Sequence, residues 1–179
     1  MKKSRIRIRT ALFLVSIMAT AGWLAAQTPP EKFLGFRVGE DRKLADYAQI
    51  TAYFQKLAQE SQKIKLFTIG ESTLKRPMIM AAISSPDNLA KLDHWREITK
   101  KLHDPRLTPG DEARKLAKEG KAIVLITCSI HATEIAASQM SMELAYDLVT
   151  GRTDFDAGKT LSDVIVLIVP STNPDGNQM

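Results

Sequence analysis

His131 and Glu134 are the residues of this sequence whose types and spacing most directly suggest chemistry. They stand three positions apart, after an apolar run and before a segment with helical periodicity, so both side chains can point at one spot. Imidazole nitrogen and carboxylate oxygen both bind zinc, and a site of two His and one Glu leaves a position for water. Zinc there acidifies the water and polarises a carbonyl oxygen, as amide hydrolysis requires. The spacing alone leaves a plainer reading open, in which Glu134 is an acid favoured by the helix dipole and His131 an ordinary loop residue.

A second polar cluster, residues 171–176, occupies a comparable place further along the chain. Each cluster follows an uninterrupted apolar run, 122–126 or 164–169, which predicts a strand buried on both faces. A helix predicted for residues 135–149 joins the strands into a βαβ unit with parallel strands. Because ligands gather beyond the carboxyl ends of such strands, the clusters are placed where function is expected. The Asn-Pro-Asp-Gly turn at 173–176 is interpreted as mainly architectural, its Pro and Gly setting the backbone and its Asn and Asp binding their own chain.

The earlier part of the chain predicts further helices and a pair of strands. A helix beginning near Leu44 carries one apolar stripe. Two short strand patterns around a tight connection indicate a hairpin or a neighbouring strand pair. With the βαβ unit, they predict an α/β fold with a mixed, partly parallel sheet sandwiched between helices. The predicted features are the stripe Tyr47, Ile50, Phe54 and Leu57, strands at 64–69 and 78–83, a helix at 87–102, and a charged, exposed helix at 111–119.

Three landmarks of this sequence occur in an order that one enzyme family shares. They are a segment with Gly70, Ser72, Arg76 and Pro77, then the pair His131 and Glu134, then the Asn-Pro-Asp-Gly turn. On these landmarks, residues 44–179 resemble the N-terminal part of the catalytic domain of the M14 zinc carboxypeptidases. The first landmark departs from the family pattern at Lys75, where the family has Gly.

The resemblance implies roles for three of these residues. His131 and Glu134 are expected to be ligands of one Zn²⁺ ion, and Arg76 is expected to line the substrate cleft. Other divalent metals could substitute at such a site, although a His and Glu pair with an open position suits zinc.

The resemblance also implies residues that this chain does not supply. The family has a third ligand, a His, and a catalytic Glu after the Asn-Pro-Asp-Gly turn, so the general base is expected downstream of Met179. The other histidines, His94 and His103, lie upstream of the metal pair. The chain is therefore expected to be an N-terminal fragment that is inactive by itself.

The implied activity is that of an exopeptidase, which hydrolyses the C-terminal bond of a peptide or protein with a metal-activated water. Two alternatives stay open. A relative of the same fold could hydrolyse cell-wall peptides or N-acyl amino acids, and a non-catalytic relative could be a binding domain that has lost the later residues. Ala132 and Thr133 differ from the residues that many members place between the ligands, which leaves the substrate class open.

The first 26 residues have the pattern of a cleaved secretory signal. A basic start without acids leads into an apolar run and then small residues, with cleavage expected after Ala26. An uncleaved membrane anchor is the alternative, since residues 10–26 approach the length that spans a bilayer. Residues 27–43 then form a linker or an N-terminal arm. The protein is accordingly expected to be secreted or periplasmic, with no stable membrane association after cleavage.

Charge and cysteine content exclude other classes of function. Five of the 25 basic residues and none of the 20 acidic residues lie in residues 1–26, so the rest of the chain has no net charge. Nothing then argues for a nucleic-acid partner. Cys128, the single cysteine, lies in a buried strand run, where it is interpreted as a small inert hydrophobe and not as a nucleophile.

Overall fold

A computed structural model describes residues 26–178 of the chain. The predicted signal segment lies outside the described residues except for Ala26. Among the described residues, no helix is both long enough and apolar enough to cross a membrane. The elements in chain order are α1 (Pro30–Leu34), α2 (Tyr47–Glu60), β1 (Ile64–Glu71), β2 (Pro77–Ile83), α3 (Pro86–Ala90), α4 (Leu92–His103), α5 (Gly110–Glu119), β3 (Ala122–Thr127), α6 (Ala136–Thr150), α7 (Ala157–Asp163) and β4 (Val164–Val169).

The four strands form one sheet in the order β1-β2-β4-β3. β1 and β2 are an antiparallel pair, β2 and β4 are antiparallel, and β3 and β4 are parallel. The predicted neighbouring strands, βαβ unit and mixed sheet are therefore confirmed. The parallel pair runs in register from Ala122 opposite Val164 to Thr127 opposite Val169, so both strands end at the same edge.

One face of the sheet carries the main core, which α2 and α6 cover. All four members of the predicted α2 stripe are buried, as is Tyr53 between them. Asp46 caps α2: its side chain accepts from the Gln49 backbone N–H, while the Gln49 side chain accepts from that of Asp46. The strand side chains that meet these helices include Ile79, Ala81, Ile83, Val166 and Ile168.

The opposite face is lined by α4, which leaves an apolar groove along the sheet. Trp95 of α4 faces Phe67, Met80, Ile165 and Leu167 across this groove. Helices thus stand on both faces, as predicted. The charged helix α5 has no buried residue, which confirms that it is exposed.

The prediction that β3 is buried on both faces is wrong for the described residues. Ile123 and Leu125 are 40% and 60% exposed, whereas Ile165 and Ile168 of β4 are 2% and 0% exposed. β4 lies between two strands, but β3 is at the edge of the sheet, so its side chains have neighbours on one flank only. A continuous apolar run does not distinguish these two places.

Two helix boundaries also differ from the sequence prediction. The helix expected over 87–102 is two helices, which break at Lys91 (φ −116°, ψ 24°). At the break, the carbonyl of Asn88 accepts from the backbone N–H of Lys91 and from Trp95 Nε1, while the Asn88 side chain donates to the carbonyls of Leu161 and Ser162. The sequence prediction also missed α7, although its capping residue Asp156 is a recognisable start signal.

The segment 27–43 contains helix α1 and contacts α2. Thr28 donates from its backbone N–H and its hydroxyl to the carboxylate of Glu60, at 2.7 and 2.8 Å. Pro30 is buried, and Phe33 packs edge-to-face on Tyr53. These contacts hold the start of the segment against the main core.

Candidate metal centre

The loop after β3 is shaped by Ser129, which is buried and adopts a left-handed backbone conformation with φ 48°. Its hydroxyl donates to the carbonyl of Glu134 at 2.9 Å and accepts from the backbone N–H of Ser138 at 3.1 Å. Such a backbone is uncommon for a residue with a side chain, and it persists where surrounding contacts demand it. Ser129 thus turns the chain sharply at the end of β3 and ties the loop to the start of α6.

This turn brings His131 and Glu134 together. The backbone N–H of Glu134 donates to the carbonyl of His131 at 3.1 Å, which closes one turn of chain between them. His131 Nδ1 lies 2.8 Å from Glu134 Oε2, and the two side chains are 68% and 59% exposed. The pair therefore presents an imidazole and a carboxylate at one solvent-accessible point beyond the carboxyl end of β3.

The two donors are of the types that zinc takes, but they are only part of a ligand set. Within residues 26–178, no group of three or more His, Cys, Asp or Glu is arranged to hold a metal ion. His94, on α4, lies 3.1 Å from Glu119 of α5 instead. The described residues therefore fit the role of two zinc ligands and require a third from elsewhere.

The Asn-Pro-Asp-Gly turn lies directly against the loop that carries the pair. Asn173 Nδ2 donates to the carbonyl of Ile130 at 3.1 Å, and its Oδ1 accepts from the backbone N–H of Gly176 at 3.0 Å. One residue earlier, the backbone N–H of Thr172 donates to the carbonyl of Cys128 at 2.9 Å. The expectation that Asn173 binds its own turn is confirmed, and the contact with Ile130 adds a function that local sequence does not reveal.

Asp175 binds its own chain, as expected, but at a distant segment and not within the Asn-Pro-Asp-Gly turn. Its Oδ1 accepts from Ser72 Oγ at 2.7 Å and from Arg76 Nη1 at 2.6 Å, and its Oδ2 accepts from the backbone N–H of Leu74 at 3.1 Å. Desolvation opposes ionisation of this carboxylate, but the hydrogen bonds from Ser72, Arg76 and Leu74 and the charge of Arg76 outweigh it. The pKa of Asp175 is consequently lowered from 3.8.

Arg76, the residue expected to line the substrate cleft, lies in the turn between β1 and β2. Its side chain is 29% exposed, and its ion pair with Asp175 occupies Nη1. The Lys75 that precedes it has φ 63°, a conformation that the Gly of the family pattern would adopt without strain. Contact between Arg76 and a substrate stays a prediction.

A buried polar network behind the loop was not found from the sequence. Asn177 Nδ2 donates to Ser138 Oγ at 3.3 Å, and Ser171 Oγ donates to Asn177 Oδ1 at 2.7 Å. All three side chains are buried. The available signal was Ser138 itself, a polar residue in line with the apolar face of α6, where a partner from another element is required.

Cys128 is buried and free, and burial raises the pKa of its thiol. A raised pKa disfavours the thiolate, which is the nucleophilic form. The structure thus agrees with the interpretation of Cys128 as an inert core residue.

Comparisons with known proteins find the same fold in solved carboxypeptidase structures. No curated protein sequence matches the chain significantly. The structure is similar to carboxypeptidase A from Helicoverpa armigera, with TM-score 0.53 and 19% identity over 83% of this chain and 31% of that one. It is also similar to thrombin activatable fibrinolysis inhibitor, with TM-score 0.55 and 13% identity over 87% of this chain and 32% of that one. These likenesses show the fold, and the chain spans about a third of the length of either structure.

The sequence profile of the zinc carboxypeptidases, peptidase family M14, matches residues 50–179. This region includes the sheet, the loop with His131 and Glu134, and the turn that supports it. The chain belongs to the zinc carboxypeptidase family.

Proposed function

We propose that this chain carries two zinc ligands, His131 and Glu134, of a metallo-carboxypeptidase that removes C-terminal residues from peptides. The observation that carries the proposal is the position of the pair: an imidazole and a carboxylate meet at 2.8 Å, exposed, beyond the carboxyl end of a parallel strand. Membership of the zinc carboxypeptidase family supports zinc as the metal that this pair would hold.

In this proposal the residues of this chain bind and orient the metal ion, and the metal ion activates the water and the substrate carbonyl. When bound, zinc polarises a carbonyl and acidifies a water molecule. His131 would bind as the neutral imidazole and Glu134 as the carboxylate, so they must exchange their mutual contact for the metal. We place the third ligand and the general base in a part of the enzyme outside this chain, because the described residues supply only two donors at this point.

The proposed substrates are peptides or proteins encountered outside the cytoplasm. The secretory signal pattern of residues 1–26 supports this location, and the absence of net charge in the rest of the chain disfavours a nucleic-acid partner. Contact between Arg76 and the substrate belongs to the same proposal. It would use donors of the guanidinium that the ion pair with Asp175 leaves available.

The proposal is tested by replacing both ligands, His131→Ala with Glu134→Ala, in the full-length protein. Metal content per molecule should fall from about one zinc to none, because removing two of three donors leaves no site. Release of C-terminal residues from peptides should be lost with it. Parallel assays on cell-wall peptides and N-acyl amino acids distinguish a carboxypeptidase from an amidohydrolase of the same fold.

The chain offers a matched control in His94 and Glu119, a second exposed His and Glu pair at 3.1 Å. The double variant His94→Ala with Glu119→Ala should keep its zinc and its activity. Undiminished zinc and activity in the His131 and Glu134 variant would refute the proposed site. Zinc-free wild-type protein without hydrolytic activity would instead favour a binding domain.

A further inference from the structure

The exposed metal pair rests on a backbone that is held mainly from one side. Residues 128–134 contact the turn 172–177 at three successive places. The carbonyl of Cys128 accepts from Thr172, the carbonyl of Ile130 accepts from Asn173, and Ala132 lies against Gly176. These contacts fall at every second residue of the loop. They therefore restrain the backbone both before and after His131.

A side chain at position 176 would force Asn173 or Ala132 to shift. A Cβ added there would lie 3.0 Å from Ala132 Cβ and 2.7 Å from Asn173 Nδ2. Real Cβ atoms do not approach a neighbour at the shorter of these distances. Ala132, one of the two residues between the proposed ligands, is therefore packed directly on the turn.

The turn is itself fixed to the sheet. Asp175 receives hydrogen bonds from Ser72 and Arg76, which belong to the turn between β1 and β2. On its other side, the backbone N–H of Tyr47 at the start of α2 donates to the carbonyl of Asn177 at 3.2 Å. These two attachments tie the turn both to the turn between β1 and β2 and to the start of α2.

We propose that the turn 172–177 positions the metal pair, and that Asn173 is its principal positioning residue. The side-chain amide of Asn173 donates to the carbonyl of Ile130, the residue directly before His131. This bond therefore fixes the position of the backbone from which the imidazole projects. This inference rests on the proposed metal site. It assigns to the Asn-Pro-Asp-Gly turn a function in metal affinity, beyond the architecture that its composition suggests.

The test is the variant Asn173→Asp, which keeps the acceptor for Gly176 but loses the donor to Ile130. Zinc affinity of the full-length protein is measured by competition with a chromophoric chelator, and should weaken about 10- to 100-fold. The added negative charge would by itself favour a cation, so weaker binding cannot be attributed to electrostatics. Amides of residues 130–134 should also exchange hydrogen for deuterium faster in the metal-free variant.

Gly176→Ala is the second variant, because its Cβ would press on both Asn173 Nδ2 and Ala132 Cβ without removing a polar group. It should weaken zinc binding and speed exchange in the same five residues. Asn88→Ala is the control, since it removes comparable amide donors to the carbonyls of Leu161 and Ser162 far along the chain from the metal pair. It should lower the urea midpoint while leaving zinc affinity unchanged.

The outcomes separate this inference from the proposed function. Wild-type zinc affinity and wild-type exchange in folded Asn173→Asp and Gly176→Ala overturn the inference and leave the metal site standing. If the wild-type protein binds no zinc, the proposed site fails. In that case, hydrogen–deuterium exchange of residues 130–134 in the metal-free variants still shows whether the turn 172–177 restrains the loop.

Discussion

Asp175 shows how one carboxylate connects two parts of the site. It reaches Ser72, 103 positions earlier in the sequence, and accepts three hydrogen bonds from the turn between β1 and β2. Because these bonds favour the ionised form, they couple the folding stability to pH. A carboxylate whose pKa is lowered on folding stabilises the native state above its unfolded pKa, and this contribution is lost as pH falls through the folded pKa.

The variant Asp175→Asn measures this contribution. The urea midpoint should be lower in the variant than in the wild type, by a constant amount above about pH 5. The difference should shrink as the pH is lowered through 3.8 and below, since the pKa of Asp175 is depressed from that value. A difference that stays constant down to pH 2 would contradict the assignment. Asp41→Asn, which removes a carboxylate that is 95% exposed, should leave the midpoint unchanged throughout.

Among the elements, β3 and β4 show that similar composition can have different energetic consequences. Both are continuous runs of β-branched and aliphatic residues, and they pair in parallel register. β4 contacts a strand on each flank, whereas β3 has one strand neighbour in the described sheet. The hydrophobic contribution of a residue scales with the apolar area it buries, so β4 should contribute far more to stability.

Matched truncations of the 179-residue chain test this difference. Ile168→Ala removes a fully buried side chain of β4 and should cost about 2–5 kcal/mol in the free energy of unfolding. Ile123→Ala removes a side chain of β3 that is 40% exposed, and should cost about 1 kcal/mol or less. Urea denaturation monitored by tryptophan fluorescence provides both values. Equal costs would show that β3 is covered in solution.

At the scale of the whole molecule, charge is separated along the chain. The basic residues of the N-terminal 26 account for the entire net charge of +5. Cleavage of that segment would therefore leave residues 27–179 without net charge. The remaining chain begins with Gln27 and Thr28, which contact Glu60 of α2.

Export with cleavage after Ala26 predicts a mature protein whose first residue is Gln27. Expression of the full chain in a secreting host, followed by N-terminal sequencing of the exported protein, checks this. The processed form of this 179-residue chain should pass through a cation exchanger at neutral pH, because residues 27–179 carry no net charge. A membrane-bound product that still contains residues 1–26 would instead establish the anchor. Deleting residues 2–9, which hold the basic residues, should abolish export in either case.

Much of the site could be anticipated because its signals are local. The apolar stripe of α2, the apolar runs of β3 and β4, and the place of His131 and Glu134 directly after β3 all follow from periodicity and strand ends. The helix break at Lys91 was not predicted; the Asn88 side chain beside it donates to the carbonyl of Leu161, 73 positions later, and no local pattern records such a contact.

The sequence by itself determined the mixed α/β fold, the places of its four strands along the chain and the position of His131 and Glu134 at the mouth of α6. These features depend on the spacing of apolar and polar residues along the chain, and this spacing can be read directly from the sequence. Only the tertiary structure decided that β3 is an edge strand, that Asp175 binds the turn between β1 and β2, and that Asn173 and Gly176 hold the loop of His131. These contacts join residues that are far apart in the chain. Periodic patterns predict helices and strands, but they do not predict which distant residues come into contact.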